Sequence, residues 1–264
     1  TTARRYADFA AALAWPTDEH YLVVGNEPNH GDEWHGRPNP ATYARFLLDT
    51  AVALHQADPQ ARVFNAGFDT FTPHTGSQPF NNGLFYVDAA AFLDGMVAAE
   101  PDVFTHLDGW ASHPYPIGPF AAPPEQQVFQ IDRLNDAAAL PINDPPPGIF
   151  NRGINSYEWE LWKLAQFGVT DLPVFITETG WRHSAEGYPS PEQAALYLDW
   201  AWRGNGQHDL GWTPWSDDGR IFAVTPFALA GNPDEWWHTN WLVMNEAGTV
   251  AQTLPPFIAW QALP

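Results

Sequence analysis

Three features of this sequence predict an α/β fold of the (β/α)8 barrel type. Short apolar runs alternate with helix-length amphipathic stretches, the order that a parallel sheet with crossover helices requires. The runs in YLVVGNEPNHGDEW and LPVFITETGWRH are apolar without alternation, as suits strands buried on both faces. Each stops at a glutamate, Glu27 and Glu178. Carboxylates at the C-terminal ends of separate parallel strands lie on the face where such barrels place their chemistry.

The elements follow in order. Residues 2 to 14 read as an amphipathic helix leading to a strand at 21 to 25. Asn39-Pro40 places a capping side chain before a proline at the first helical position, opening a helix whose apolar stripe is Tyr43, Phe46, Leu47 and Leu54. ARVFNAGF at 61 to 68 is the next strand, and a polar loop from about 69 to 83 leads to a helix over 85 to 99. LDGWASHPYP at 107 to 116 supplies another strand end. Residues 116 to 152 are proline-rich and aperiodic, so they form a long loop of the kind usually functional or disordered. A helix over 153 to 167 precedes the strand ending at Glu178, Ser190-Pro191 opens a helix to about 203, and GRIFAVTPFAL at 219 to 229 is the last strand. Neither an internal repeat nor an interdomain linker is visible, so residues 1–264 are expected to form one domain.

Composition narrows the function. Eleven Lys plus Arg against 31 Asp plus Glu give a net charge of −20, which repels phosphate backbones and anionic membranes. Nucleic acid and membrane partners are therefore not expected. No apolar stretch has the length of a membrane span, and the opening TTARRYADFAAALAW lacks the order of a signal peptide. Without Cys there are neither disulfides nor thiolate zinc sites. The 14 Trp, eight Tyr and 17 Phe suit a cleft that stacks rings on pyranose faces, although packed cores use aromatics too.

Asn26-Glu27-Pro28 after one strand, followed by Thr177-Glu178-Thr179-Gly180-Trp181 after another, resembles the strand-4 and strand-7 signatures of glycoside hydrolase clan A. The Glu-Thr-Gly-Trp run is similar to the family 17 β-glucanases, and Asn-Glu-Pro-Asn to families 5 and 39. The resemblance covers barrel strands 4 to 8, so it implies a TIM barrel lacking strands 1 to 3, a partial barrel completed by another segment or a second chain. Five strands do not close with the tilt and shear of eight. The clan also carries an arginine near the end of strand 2, to which no residue here corresponds.

What the resemblance implies for the site is specific. Glu178 is the nucleophile, Glu27 the acid/base, and Asn26 the asparagine that meets the sugar 2-hydroxyl. His113 or Tyr115, in WASHPYP, corresponds to the strand-6 residue that donates a hydrogen bond to the nucleophile; a buried, satisfied histidine and a packing tyrosine are the plainer alternatives. Trp34 and Trp181 closely follow the two glutamates and, with Trp237 and Trp241, are candidate sugar platforms, core packing being the rival account. In the clan a tryptophan commonly ends strand 8; VTPFAL occupies that stretch here, so the role passes to Trp236 or Trp237 or is lost. Asp32 and Glu33 are expected to contact sugar hydroxyls.

Other chemistry has less support. His30, Asp32 and His35 cluster in NHGDEWH, but their spacing matches no metal motif. No phosphate-binding glycine loop or nucleophile elbow is present, so no cofactor is expected. The sequence thus predicts a retaining glycosidase acting on a β-linked polysaccharide or oligosaccharide, with an extracytoplasmic bacterial location. The alternative is a non-catalytic carbohydrate-binding or scaffold protein derived from such a barrel.

Overall fold

The computed structural model describes residues 1–128, 145–204, 206, 209–231 and 236–264. They fall into two compact units, one built from residues 1–113 and 160–175, the other from 114–128, 146–159 and the described residues of 176–264.

In the first unit, helices α1 (Thr2–Ala11), α2 (Pro40–Ala57) and α3 (Ala89–Ala99) alternate with strands β1 (His20–Val24), β2 (Ala61–Asn65) and β3 (Trp110–Ser112). β1 and β2 pair in parallel, from His20 opposite Ala61 to Val24 opposite Asn65. Parallel bridges at Phe64–Gly109 and Asp69–His113 carry the order from β2 toward β3. Local chemistry sets the helix limits. α2 starts where Asn39 Oδ1 accepts from Thr42 N at 3.0 Å, with proline in the first turn. α3 begins at 89 rather than the expected 85 because Asp88 is its cap, accepting from Ala91 N, while Phe85 and Val87 bond to the backbone of Gly36 and Asn29. α1 stops at Ala11 rather than 14, where the Trp15 indole donates to Ala10 O at 2.9 Å.

The core of this unit lies between strands and helices. Leu22, Val24, Val63, Phe64 and Trp110 from the strands meet Tyr43, Leu47, Leu54, Phe92 and Met96 from the helices, all buried. Phe68 stacks on Trp110 and lies edge-on to Phe92. Phe46, expected in the apolar stripe of α2, is 42% exposed. Two polar side chains lock the strand ends: Tyr43 Oη donates to Val24 O and accepts from Ala66 N, and Asn65 exchanges bonds with both backbone groups of Ala111. Such bonds satisfy backbone groups that the short ladders leave over.

Strand β4 (Val174–Ile176) neighbours β3, and the chain passes from the first unit to the second at Phe175–Ile176. In the second unit β5 (Ile221–Val224) follows β4 in the sheet, with Thr225 N donating to Ile176 O. The unit also holds the short turn α4 (Ile117–Phe120), the start of α5 (Tyr157–Gln166), α6 (Pro191–Arg203, capped by Ser190) and α7 (Pro255–Gln261). An antiparallel hairpin, β6 (Leu242–Met244) with β7 (Val250–Thr253), occupies a segment in which the sequence signalled no strands. Its strands are three and four residues long and mostly exposed, so neither gives the pattern of a buried strand. α6 and α7 pack through Trp202 and Trp260, 5.4 Å apart and edge-to-face.

The chain is therefore α/β, with parallel pairing where the sequence placed it. Among the described residues no sheet closes into a barrel, the sheets having two, three and two strands. Much of the aperiodic loop expected over 116 to 152 lies outside the described residues; the described part contains α4 and an antiparallel bridge from Val128 to Arg152.

Candidate active site

The first unit presents a cluster around Glu27. β1 ends at Val24, and the chain turns through Gly25 at φ 99° before Glu27 takes φ 32°, a conformation uncommon for a residue with a side chain. Strain of this kind persists where surrounding contacts impose it. Here Glu27 N donates to Gly67 O at 3.1 Å, fastening the turn to the segment after β2. The glutamate Oε1 lies 2.9 Å from His113 Nδ1. That histidine side chain is 3% exposed, against 20% for the glutamate.

Neighbouring residues make room for the contact. A Cβ on Gly67 would sit 2.2 Å from the His113 ring, so only glycine admits the imidazole there. Asp69 bridges to His113 through the backbone and is gripped by Asn29, whose amide donates to Asp69 O and accepts from Asp69 N. Burial, the first cause, pushes the Glu27 carboxyl up from 4.5 to about 8; the charges of Asp69 and Glu33 add to the rise, while His30 opposes it. At neutral pH Glu27 therefore carries a proton, the state of a general acid.

The second unit presents a cluster around Glu178, two residues past the end of β4. Tyr115 Oη donates to Glu178 Oε2 at 2.9 Å, fixing the orientation of that carboxyl. The tyrosine is buried, and its ring lies 4.5 Å from that of Phe120. Thr179 Oγ1 donates to Pro114 O at 2.8 Å, which ties the segment after β4 to the one bearing Tyr115. Gly180 adopts φ 145°, and a Cβ there would fall 2.8 Å from Phe227 O. Glycine is needed at this position for both its conformation and its lack of bulk.

The remaining expected residues divide. Asn26 is exposed on the turn beside Glu27. Trp34 is half-buried, edge-on to Tyr43, and Trp237 is 46% exposed on a short 3-10 turn. Trp181 departs from its expected role as a platform: it is 3% exposed, its indole donating to Ala122 O, because the segment after β4 turns the ring inward against Tyr197. Trp241 is likewise buried. His113 makes its described hydrogen bond to Glu27, since β3 carries it next to the ends of β1 and β2. His30, Asp32 and His35 do not converge as a ligand set among the described residues.

Gly67, Asn29 and Asp69 were not singled out by the sequence. The Asn-Glu-Pro-Asn run offered the only signal for Asn29, which is wholly buried and links two loops.

The chain is α/β with a glutamate past each of two strand ends, and its structural neighbours are TIM-barrel glycoside hydrolases. A monomeric β-xylosidase from Caulobacter crescentus superposes with TM-score 0.53 at 15% identity, over 98% of this chain and 45% of its own. A family 39 glycoside hydrolase from the gut symbiont Bacteroides cellulosilyticus gives 0.52 at 16%, over 97% and 42%. A β-1,3-glucanase and allergen of Cryptomeria japonica pollen gives 0.52 at 17%, over 94% and 77%. The chain spans less than half the length of the first two. At these identities the likeness is one of fold, and it covers nearly the whole chain. No protein-family model and no curated protein sequence matches it.

Proposed function

We propose that the chain is a retaining glycoside hydrolase acting on β-linked polysaccharide or oligosaccharide, with Glu178 as nucleophile and Glu27 as acid/base. Such chemistry needs the two carboxyl groups about 5–5.5 Å apart on opposite sides of the scissile bond. The observation that carries the reading is the Glu27 carboxyl at a strand end, 2.9 Å from the buried His113 ring, with burial and Asp69 favouring its protonated form. Tyr115 orients the Glu178 carboxyl through Oε2, and a carboxylate oxygen of Glu178 attacks the anomeric carbon.

In the first step the Glu178 oxygen bonds to the anomeric carbon as the glycosidic C–O bond breaks, and Glu27 gives its proton to the leaving oxygen. In the second, Glu27 takes a proton from water, whose oxygen displaces Glu178 and restores both carboxyls. Esterification removes the charge of Glu178, so Glu27 becomes more acidic between the steps. Asn26 would bond the sugar 2-hydroxyl, and the half-buried Trp34 and the exposed Trp237 would receive flanking sugar rings.

Hydrolysis of an aryl β-glycoside by the wild-type chain, abolished in Glu178→Ala, is the expected result. Equal inertness of wild type and variant, with glycan binding retained in both, refutes catalysis and leaves the carbohydrate-binding alternative.

A further inference from the structure

Arg182 lies four residues past Glu178, in the second unit, within a cage of aromatic rings. Its guanidinium carbon is 4.9 Å from the centre of Phe120, 5.5 Å from Trp236 and 5.8 Å from Tyr188. Its backbone N–H donates to Phe120 O at 2.8 Å, and its Nη1 to Tyr188 Oη at 3.2 Å. Arg4, Arg45, Arg62, Arg203 and Arg220 each meet a carboxylate. Arg182 meets none among the described residues, in a chain where acids outnumber bases 31 to 11.

The unmet bonding capacity is local. Among the described residues Arg182 Nε is buried without an acceptor, and Nε2 of His238 is buried without a partner; the His238 ring stacks on Tyr188 at 5.9 Å. A buried polar group left without a partner is costly, and a guanidinium that lacks a carboxylate in an aromatic cage is the arrangement that a planar carboxylate completes. The cage joins the candidate nucleophile by direct contacts: Phe120 packs on Tyr115, and Tyr115 holds Glu178.

We infer that Arg182, with Tyr188, Trp236 and His238, forms a subsite for the carboxylate of a uronic acid unit carried on an otherwise neutral β-linked glycan. This rests on the glycoside hydrolase reading and adds the substrate class to it. The net charge of −20 repels a polyanion at long range, so the subsite suits isolated uronate units rather than a polyuronate. The rings supply stacking for the sugar face and the guanidinium supplies the fork for its carboxylate.

The test compares glucuronate-containing β-linked oligosaccharides with the same molecules after reduction of the carboxyl to a primary alcohol, by calorimetric titration of full-length Glu178→Gln. The acidic form should bind at least tenfold more tightly. Adding Arg182→Met should bring the two forms within about twofold, and adding Arg182→Lys should keep part of the preference. The subsite is overturned if the acidic form holds no advantage, if neither form binds, or if the advantage survives Arg182→Met. Circular dichroism of each variant confirms folding, and should Arg182→Met unfold, loss of the preference in Arg182→Gln decides instead. Preferential binding to Glu178→Gln in a chain whose wild type cleaves nothing would retain the subsite while refuting the hydrolase reading.

Discussion

Glu160, on α5 in the first unit, is wholly buried, with Oε2 accepting from the Trp110 indole at 2.7 Å. Burial raises its carboxyl from 4.5 to about 7, against a smaller lowering by Trp110 and by Ser112, whose Oγ lies near without full hydrogen-bond geometry. In the unfolded chain the group titrates near 4.5, so between pH 4.5 and 7 the folded protein retains a proton that the unfolded chain releases. Stability therefore falls as pH rises through this window and levels off above it. At about 1.4 kcal/mol per pH unit the total loss is about 3 kcal/mol, of which about 2 kcal/mol develops between pH 5.5 and 8. Glu160→Gln keeps an oxygen for Trp110 and offers an amide to Ser112, but cannot ionise. Urea unfolding of the two proteins at several pH values should show the variant gaining on wild type by about 2 kcal/mol from pH 5.5 to 8. The bulk charge acts on both proteins alike, so it cancels in the difference. Parallel stability profiles would refute the argument, because they would mean that Glu160 titrates alike in the folded and unfolded chains.

Two further outcomes bear on Glu27. The rate of aryl β-glycoside hydrolysis should hold through neutral pH and fall on the basic side near pH 8, where Glu27 loses its proton, and Asp69→Asn should move that limb to lower pH by removing a charge that favours protonation; an unmoved limb excludes Asp69 from the control of Glu27. Gly67→Ala puts a methyl 2.2 Å from the His113 ring and should lower kcat at least tenfold through displacement of His113 from Glu27, read alongside a thermal melt and a shifted pH profile. Unchanged kcat and profile would show that the Glu27–His113 contact has no part in turnover.

The legible parts of the fold were those written in local chemistry. Asn39-Pro40 and Ser190-Pro191 each announced a helix start, and the cap bonds to Thr42 and Gln193 are where the sequence placed them. Apolar runs marked β1, β2 and β4 because strands buried on both faces leave no polar positions to disguise them. The β6–β7 hairpin was not legible: its strands are only three and four residues long, and most of those residues face solvent. The inward turn of Trp181 was equally hidden, since the acceptor that holds its indole is Ala122, far away along the chain.

From sequence alone came the α/β order, the two glutamates at strand ends, the acidic net charge, and the likeness to clan A. These follow from hydrophobic patterning, capping residues and motif spacing, all of which act over a few neighbouring residues. Tertiary structure alone decided that His113 meets Glu27, that Tyr115 holds Glu178, that Gly67 makes space for an imidazole, and that Arg182 stands among aromatic rings without a carboxylate. Such pairings depend on which strands and loops come to lie side by side, and burial, which sets the proton on Glu27, exists only once the chain has packed around it.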